Sequence, residues 1–128
     1  MMEIICNNEE FVTVIKPFGV SSQENGKDGL PELIKKELSL TEIYTVHRLD
    51  TVTSGVMVYA KTKRAAAVLS KGITDGTFQK EYLTVVHGEV SPEKGIMEDF
   101  LTSFLMNLSS SFSAMGYTPL GAMKEGRT

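Results

Sequence analysis

The sequence predicts one globular domain that contains both β-strands and α-helices. Its 128 residues are the size of one ordinary domain. Hydrophobic residues make up 41% and charged residues 23%, which is typical of a chain that folds around a core. Two apolar runs have the length of strands, and two segments with an apolar side have the start signals of helices.

The first predicted strand runs from Phe11 to Lys16. These residues are mostly β-branched or apolar, and Pro17 ends the run. The segment Pro17–Gly19 then predicts a turn, because proline and glycine both interrupt regular structure. The polar segment Ser21–Gly29 predicts a loop.

Two helices are predicted. The first begins near Pro31, because proline suits the first turn of a helix, and its apolar side consists of Leu33, Ile34 and Leu38. The second follows Thr62, whose hydroxyl can cap it, and Gly76 lies just past its end. Its predicted core side is Ala65, Ala66, Val68, Leu69 and Ile73, and its predicted solvent side is Lys63, Arg64 and Lys71.

Two more strands are predicted further along the chain. Tyr44–Asp50 leads into a loop, after which Gly55–Ala60 is a nearly continuous apolar run whose length fits a buried strand better than a helix. Lys80–His87 alternates partly and is rich in valine, threonine and tyrosine.

The composition changes after residue 102. Residues 103–123 contain no charged side chain, five serines and three methionines, and they sustain no helix or strand period. We therefore expect a domain over residues 1–102 and an atypical tail over 103–128, of the kind that a frameshifted or disordered segment would give.

Composition argues against several classes of protein. Cys6 is the single cysteine, so no intrachain disulfide is expected, and no Cys/His spacing suggests a zinc site. No run reaches the roughly 18 apolar residues that cross a bilayer, and the N-terminus lacks the features of a signal peptide. We expect a cytoplasmic protein that neither binds a metal nor contacts a membrane.

Charge is distributed unevenly along the chain. The formal net charge is -3, yet residues 43–80 hold six basic and two acidic side chains. This middle third could present a basic face to a nucleic acid. The alternative is an ordinary solvated helix surface.

Asp50 is a candidate catalytic group, because it lies in a loop just before an apolar strand. Arg48 could hold the carboxylate ionised or contact a phosphate. Gly55 lets the backbone turn sharply, and the nearby hydroxyls belong to Thr51, Thr53 and Ser54. These residues alone leave a second role open, in which Asp50 accepts hydrogen bonds from loop amides.

Other chemistries have weaker support in the sequence. His47 and Asp50 are too few ligands for a metal site. Ser54, His87 and Asp50 supply the residue types of a hydrolase triad, but no Gly-x-Ser-x-Gly elbow is present. The glycines near residues 26–29 fit neither a P-loop nor a dinucleotide-binding spacing.

The segment His47–Gly55 reads His-Arg-Leu-Asp-Thr-Val-Thr-Ser-Gly, and Ala60-Lys61 follows it. This string resembles the HRLD-x-x-TSG…AK signature of the RluA-type pseudouridine synthase family. Lys16–Val20 resembles the family's early Lys-Pro-x-Gly turn, and Lys80–Tyr82 resembles its Lys-x-Tyr motif. The resemblance covers residues 3–102. It implies an α+β fold with a largely antiparallel mixed sheet and flanking helices.

The resemblance also implies a reaction, in which selected uridines of structured ribosomal or transfer RNA become pseudouridine. Asp50 corresponds to the family's essential aspartate, a nucleophile or base at the ribose. Arg48 corresponds to the arginine that fills the gap left by the extruded base. Tyr82 corresponds to the tyrosine that packs against the uracil. Structured RNA is the implied partner, and no cofactor or metal is implied. The resemblance does not give the oligomeric state, and we expect a monomer.

The family's third motif, Gly-Arg-Thr-His-Gln-Ile/Leu-Arg, has no counterpart here, although its basic residue pairs with the catalytic aspartate in the family. We therefore expect a chain that lacks the C-terminal part of the catalytic domain and has low activity by itself. The alternative function is that of a truncated, non-catalytic RNA-binding remnant of such an enzyme.

Overall fold

The structure is a computed structural model that describes residues 2–85, 87–88, 95–102 and 110–117. The chain divides into two units, Met1–Glu81 and Tyr82–Thr128, and each is described by itself. Among the described residues, no helix is long and apolar enough to cross a membrane.

A four-stranded sheet lies at the centre of the first unit, and every neighbouring pair of its strands is antiparallel. The strands are β1 (Glu3–Asn7), β2 (Phe11–Lys16), β3 (Tyr44–Thr45) and β4 (Gly55–Ala60), in the spatial order β1-β2-β4-β3. With two helices beside this sheet, the α+β prediction is confirmed. The predicted bounds of the second and fourth strands are also those of the structure.

One face of the sheet forms the core of the first unit. Side chains alternate along β2 because successive residues of a strand point to opposite faces. Val12 and Val14 are fully buried and lie opposite Tyr59 and Met57 of β4, which are also fully buried. Lys16 follows on the same face and is buried too, so an ammonium group lies at the edge of an apolar core.

Helix α1 spans Leu30–Leu38 and covers this face, with the proline in its first turn as predicted. Leu30 and Ile34, one turn apart, are fully buried in the core. Leu38 packs against the core from the same side. Leu33, which the pattern assigns to the apolar side, is half-buried and lines a surface depression instead.

Helix α2 spans Lys63–Asp75, and both of its predicted ends are confirmed. The Thr62 side chain accepts a hydrogen bond from the Ala65 N–H at 3.1 Å, and Gly76 ends the helix with a φ of +79°. The predicted solvent side is exposed, but the prediction for Val68 is wrong, since 65% of this side chain is exposed. The helix makes its main contacts with the sheet at β3 and β4, and Ala65 is its buried residue.

Two further differences from the predictions concern strands. The sequence pattern did not predict β1, an edge strand with mostly exposed side chains and an irregularity in its pairing with β2. The strand predicted over Lys80–His87 is wrong for residues 80–85 and 87, which belong to no strand, while residue 86 lies outside the described residues. A segment with strand propensity still needs a neighbouring strand to pair with.

The described strands of the second unit form an antiparallel hairpin. Strand β5 (Gly95–Thr102) pairs with β6 (Ser110–Tyr117) along its whole length. Strand β6 lies within the segment 103–128, where the pattern predicts no strand. Residues 103–109 and 118–128 lie outside the described residues, and the predicted boundary at residue 102 stays a prediction.

Candidate active site

The loop that precedes β4 exposes the carboxylate of Asp50. The Thr53 N–H donates to the main-chain carbonyl of Asp50 at 2.9 Å, which closes a four-residue turn. Within the part of the chain that the structure describes, the Asp50 carboxylate accepts no hydrogen bond. The turn is thus held by the backbone, and the geometry does not support the alternative in which the Asp50 side chain serves loop amides.

The Lys16–Val20 turn is hydrogen-bonded to this loop at Thr51. The Lys16 Nζ donates to the carbonyls of Pro17 at 3.0 Å, Val20 at 2.7 Å and Thr51 at 3.1 Å. The Gly19 N–H donates to the same Thr51 carbonyl at 2.8 Å. Gly19 adopts a φ of +84°, a conformation that favours glycine. The family-like turn therefore fixes the residue that directly follows Asp50.

Lys16 also gives Asp50 a buried positive neighbour. Burial lowers the pKa of the Lys16 ammonium below its ordinary value, and the negative charge of Asp50 partly offsets this by raising it. Three carbonyl oxygens compensate for the lost hydration of the ammonium group. The two charges therefore attract each other.

Ser22 holds the residue on the other side of Asp50. Its Oγ donates to the Leu49 carbonyl at 2.7 Å and accepts from the Leu49 N–H at 3.2 Å. Ser22 is buried, and its own carbonyl accepts a 2.6 Å hydrogen bond from the Tyr59 hydroxyl of β4. Burial raises the pKa of Tyr59 far above its ordinary value, so the hydroxyl stays a donor.

Along the loop, residues whose backbone is hydrogen-bonded to buried side chains alternate with residues whose side chains are exposed. Leu49 and Thr51 are bonded through their backbone to buried groups, whereas the Arg48 and Asp50 side chains are exposed. A reactive side chain on a fixed backbone is what catalysis by positioning requires. The structure therefore brings two of the three predicted site residues to one ordered loop.

The third predicted residue, Tyr82, belongs to the second unit, where 59% of its side chain is exposed. His87 of the triad alternative lies in that unit as well. The metal alternative uses His47, but its Nε2 already accepts a hydrogen bond from the Val58 N–H at 3.1 Å. Within the described ranges, no group of three or more possible protein ligands could hold a metal ion.

Sequence reasoning assigned no supporting role to Lys16, Ser22 or Tyr59, although Lys16 belongs to the Lys-Pro-x-Gly resemblance. Lys16 had a signal, because it continues the inward-facing alternation of Val12 and Val14 and a lysine there must find partners. Ser22 and Tyr59 had none, since their bonds join positions 27 and 37 residues apart in the chain.

Comparison with known proteins identifies the fold and then the family. The structure resembles that of human RNA pseudouridylate synthase domain containing 4 with a TM-score of 0.56 and 21% identity, over 79% of this chain and 40% of that one. This likeness shows that the covered part of the chain has the fold of that protein.

A family model described as RNA pseudouridylate synthase matches residues 10–121. The chain belongs to this family. It is 32% identical over 132 residues to a tRNA pseudouridine synthase C of Pectobacterium carotovorum, with 100% of this chain and 35% of the relative covered. It is 34% identical over 99 residues to the dual-specificity RNA pseudouridine synthase RluA of Escherichia coli O157:H7, with 74% of this chain and 44% of the relative covered. The chain therefore spans less than half the length of these relatives.

Proposed function

We propose that this chain isomerises uridine to pseudouridine in structured ribosomal or transfer RNA, with Asp50 as the catalytic carboxylate. One observation carries the proposal: an exposed carboxylate lies between two residues, Leu49 and Thr51, whose backbone is bonded to buried side chains. Membership of the RNA pseudouridylate synthase family supports the reaction type. The names of the two bacterial relatives support RNA, and tRNA in one case, as the substrate.

The reaction needs no group beyond the protein and the RNA. The bond between uracil N1 and ribose C1′ breaks, the base turns, and a bond from C5 to C1′ forms, while C5 loses a proton and N1 gains one. Reactant and product are isomers, so no oxidant or co-reactant is consumed. Asp50 would act on the ribose as nucleophile or base, and its negative charge would stabilise positive character at C1′.

Two further side chains have proposed roles in handling the base. A uridine in structured RNA must leave its stack before Asp50 can reach the ribose, at a cost of a few kcal/mol. Arg48 is exposed two residues before Asp50, and its flat cation would fill the vacated stack. Tyr82 would pack its exposed ring against the uracil.

Phosphate binding is the proposed role of the basic side of α2. Lys63, Arg64 and Lys71 are exposed on this helix. Lysine and arginine side chains on one surface contribute salt-dependent, sequence-independent affinity for RNA. We propose the cytoplasm as the site of action.

Tritium release from RNA labelled at uridine C5 tests the proposal, because the C5 proton is lost when the new bond forms. Asp50→Asn should lower the rate by at least about 1,000-fold, since it removes the nucleophile or base and keeps the side chain's size. Asp28→Asn is the matched control, because Asp28 is also an exposed loop aspartate. Its rate should stay within about twofold of the original chain, as surface substitutions usually have small effects.

Thermal unfolding separates loss of chemistry from loss of fold. The carboxylate of Asp50 accepts no hydrogen bond within the described residues, so Asp50→Asn should unfold at nearly the same temperature as the original chain. An Asp50→Asn variant that releases tritium at the original rate would refute the assignment. RNA retention on a filter without any tritium release by the original chain would favour the non-catalytic RNA-binding alternative.

A further inference from the structure

The hydrogen-bond ladder between β3 and β4 ends early. Strand β3 has only two residues, Tyr44 and Thr45, which pair with Ala60 and Tyr59 of β4. The next N–H along β4, that of Val58, donates to the imidazole Nε2 of His47 at 3.1 Å. A side chain thus takes the place of a strand carbonyl where the partner strand has ended.

This replacement matters because an N–H that is shielded from water and left unpaired costs free energy, and the Val58–His47 bond is partly buried. Val58 lies in the middle of β4, with Thr13 of β2 on its other side. His47 lies two residues beyond the end of β3 and three before Asp50. Its hydrogen bond therefore ties the first residue of the His47–Gly55 segment to the rigid sheet.

The bond also defines the chemical state of the imidazole. A nitrogen that accepts an N–H carries no proton, so a neutral His47 has its proton on Nδ1. Burial and the positive charge of Lys80 lower the pKa of His47, which favours the neutral form. The Nδ1 atom is buried without a partner among the described residues, and the Phe78 ring packs on the imidazole at a centroid distance of 5.3 Å.

We propose that His47 is a positioning residue for Asp50, which anchors the start of the loop to β4 through its unprotonated Nε2. The proposal rests on the proposed function in one respect, that Asp50 performs the chemistry. His47 itself does not exchange protons with RNA, because one nitrogen is bonded to Val58 and the other is buried.

Two polar variants, His47→Asn and His47→Gln, distinguish a hydrogen-bond anchor from a side chain that only packs in the site. The side-chain oxygen of glutamine can reach the position of Nε2, whereas that of asparagine extends only as far as Nδ1. His47→Asn should lower kcat about 100-fold, as expected when a reacting group is displaced by about 1 Å. KM should change by less than about threefold, because RNA binding is not altered. His47→Gln should keep kcat within about fivefold of the original chain. Equal loss in both variants, or equal retention in both, would overturn the proposal.

A second measurement needs no catalytic activity. Hydrogen–deuterium exchange of the Val58 amide should be about tenfold faster in His47→Asn than in the original chain and nearly unchanged in His47→Gln. The Val14 amide in β2 is the internal reference and should exchange equally in all three proteins. Unchanged exchange at Val58 in His47→Asn would refute the anchor.

Nitrogen-15 spectra of the imidazole at pH 7.5 should show a protonated Nδ1 and an unprotonated Nε2. The opposite tautomer would also refute the anchor. If Val58 responds as expected but the original chain releases no tritium, the proposed function fails while the anchor stands. The two failures are therefore distinguishable.

Discussion

Two short segments of the first unit, Lys16–Ser22 and His47–Thr53, are built in opposite ways. The first segment begins and ends with a buried polar side chain, Lys16 and Ser22, and both bond to the backbone of the second. In the second segment the Arg48 and Asp50 side chains are exposed, and among the described residues its bonds are made by its backbone, apart from the one that His47 accepts from Val58. The first segment supports the second, and the second has the residue proposed to do the chemistry.

This difference gives the buried ammonium of Lys16 a structural role, which is to hold the loop at Thr51. The loop's exposed groups have no packing of their own, so their positions depend on backbone bonds to something rigid. The first segment gives three such bonds to Leu49 and Thr51 from side chains that the core holds in place. Substitutions in the support segment should therefore lower both stability and activity, whereas Asp50→Asn should lower activity alone.

The largest expected effect on stability comes from Lys16→Met. Methionine has a similar length and no donor, so the carbonyls of Pro17 and Val20 lose the bonds that Lys16 gives them, while Thr51 keeps its bond from Gly19. The free energy of unfolding should fall by about 3 kcal/mol, measured by urea denaturation.

Lys71→Met is the matched control for this experiment, because Lys71 is exposed on α2. Its free energy of unfolding should change by no more than about 0.5 kcal/mol. If the two variants were equally stable, the three carbonyls around Lys16 would not depend on the ammonium. Lys16 would then not be a support of the loop, and the contrast between the two segments would be wrong on this point.

A smaller effect is expected for Ser22→Ala. The change leaves the N–H and carbonyl of Leu49 without their partner in a buried site. We expect a loss of about 2 kcal/mol in the free energy of unfolding, together with a lower kcat for tritium release. Ser21→Ala is the control, since among the described residues the Ser21 hydroxyl bonds within its own exposed turn. Equal losses from both serines would contradict a specific role for Ser22.

The fold was predictable where local chemistry decides it. The end of β2 at Pro17 and the ends of α2 at Thr62 and Gly76 follow from residues that act within one turn of themselves. Strand β1 was not predictable, because an edge strand with exposed side chains has no clear pattern. The error over Lys80–His87 has the opposite cause, since strand-forming residues were present without a described partner strand.

The candidate site residues could be named from the sequence, but the residues that support their loop could not. Asp50 and Arg48 were identified by resemblance, and the structure places both on one exposed loop. The bonds of Ser22 to Leu49 and of His47 to Val58 join residues distant in sequence, and they involve side chains that many loops contain. Such pairings depend on the tertiary fold, so no spacing along the chain could reveal them.

The smallest expected effect is a pH dependence of stability from His47. Burial and the charge of Lys80 lower the pKa of His47 in the folded chain, whereas in the unfolded chain this pKa has its ordinary value of about 6.5. The stability that the neutral imidazole contributes is therefore fully present above that pH. It is lost as the pH falls through the lowered folded value, because the unfolded chain takes up the proton first. Protonation also removes the acceptor of the Val58 N–H.

Urea denaturation at pH 7.5 and pH 5.5 measures this effect. Between these pH values the free energy of unfolding should fall more for the original chain than for His47→Gln, which has no titratable group at position 47. Equal losses would mean that the imidazole accepts a proton as readily in the folded chain as in the unfolded one, and the support of Asp50 by a neutral His47 would have to be abandoned.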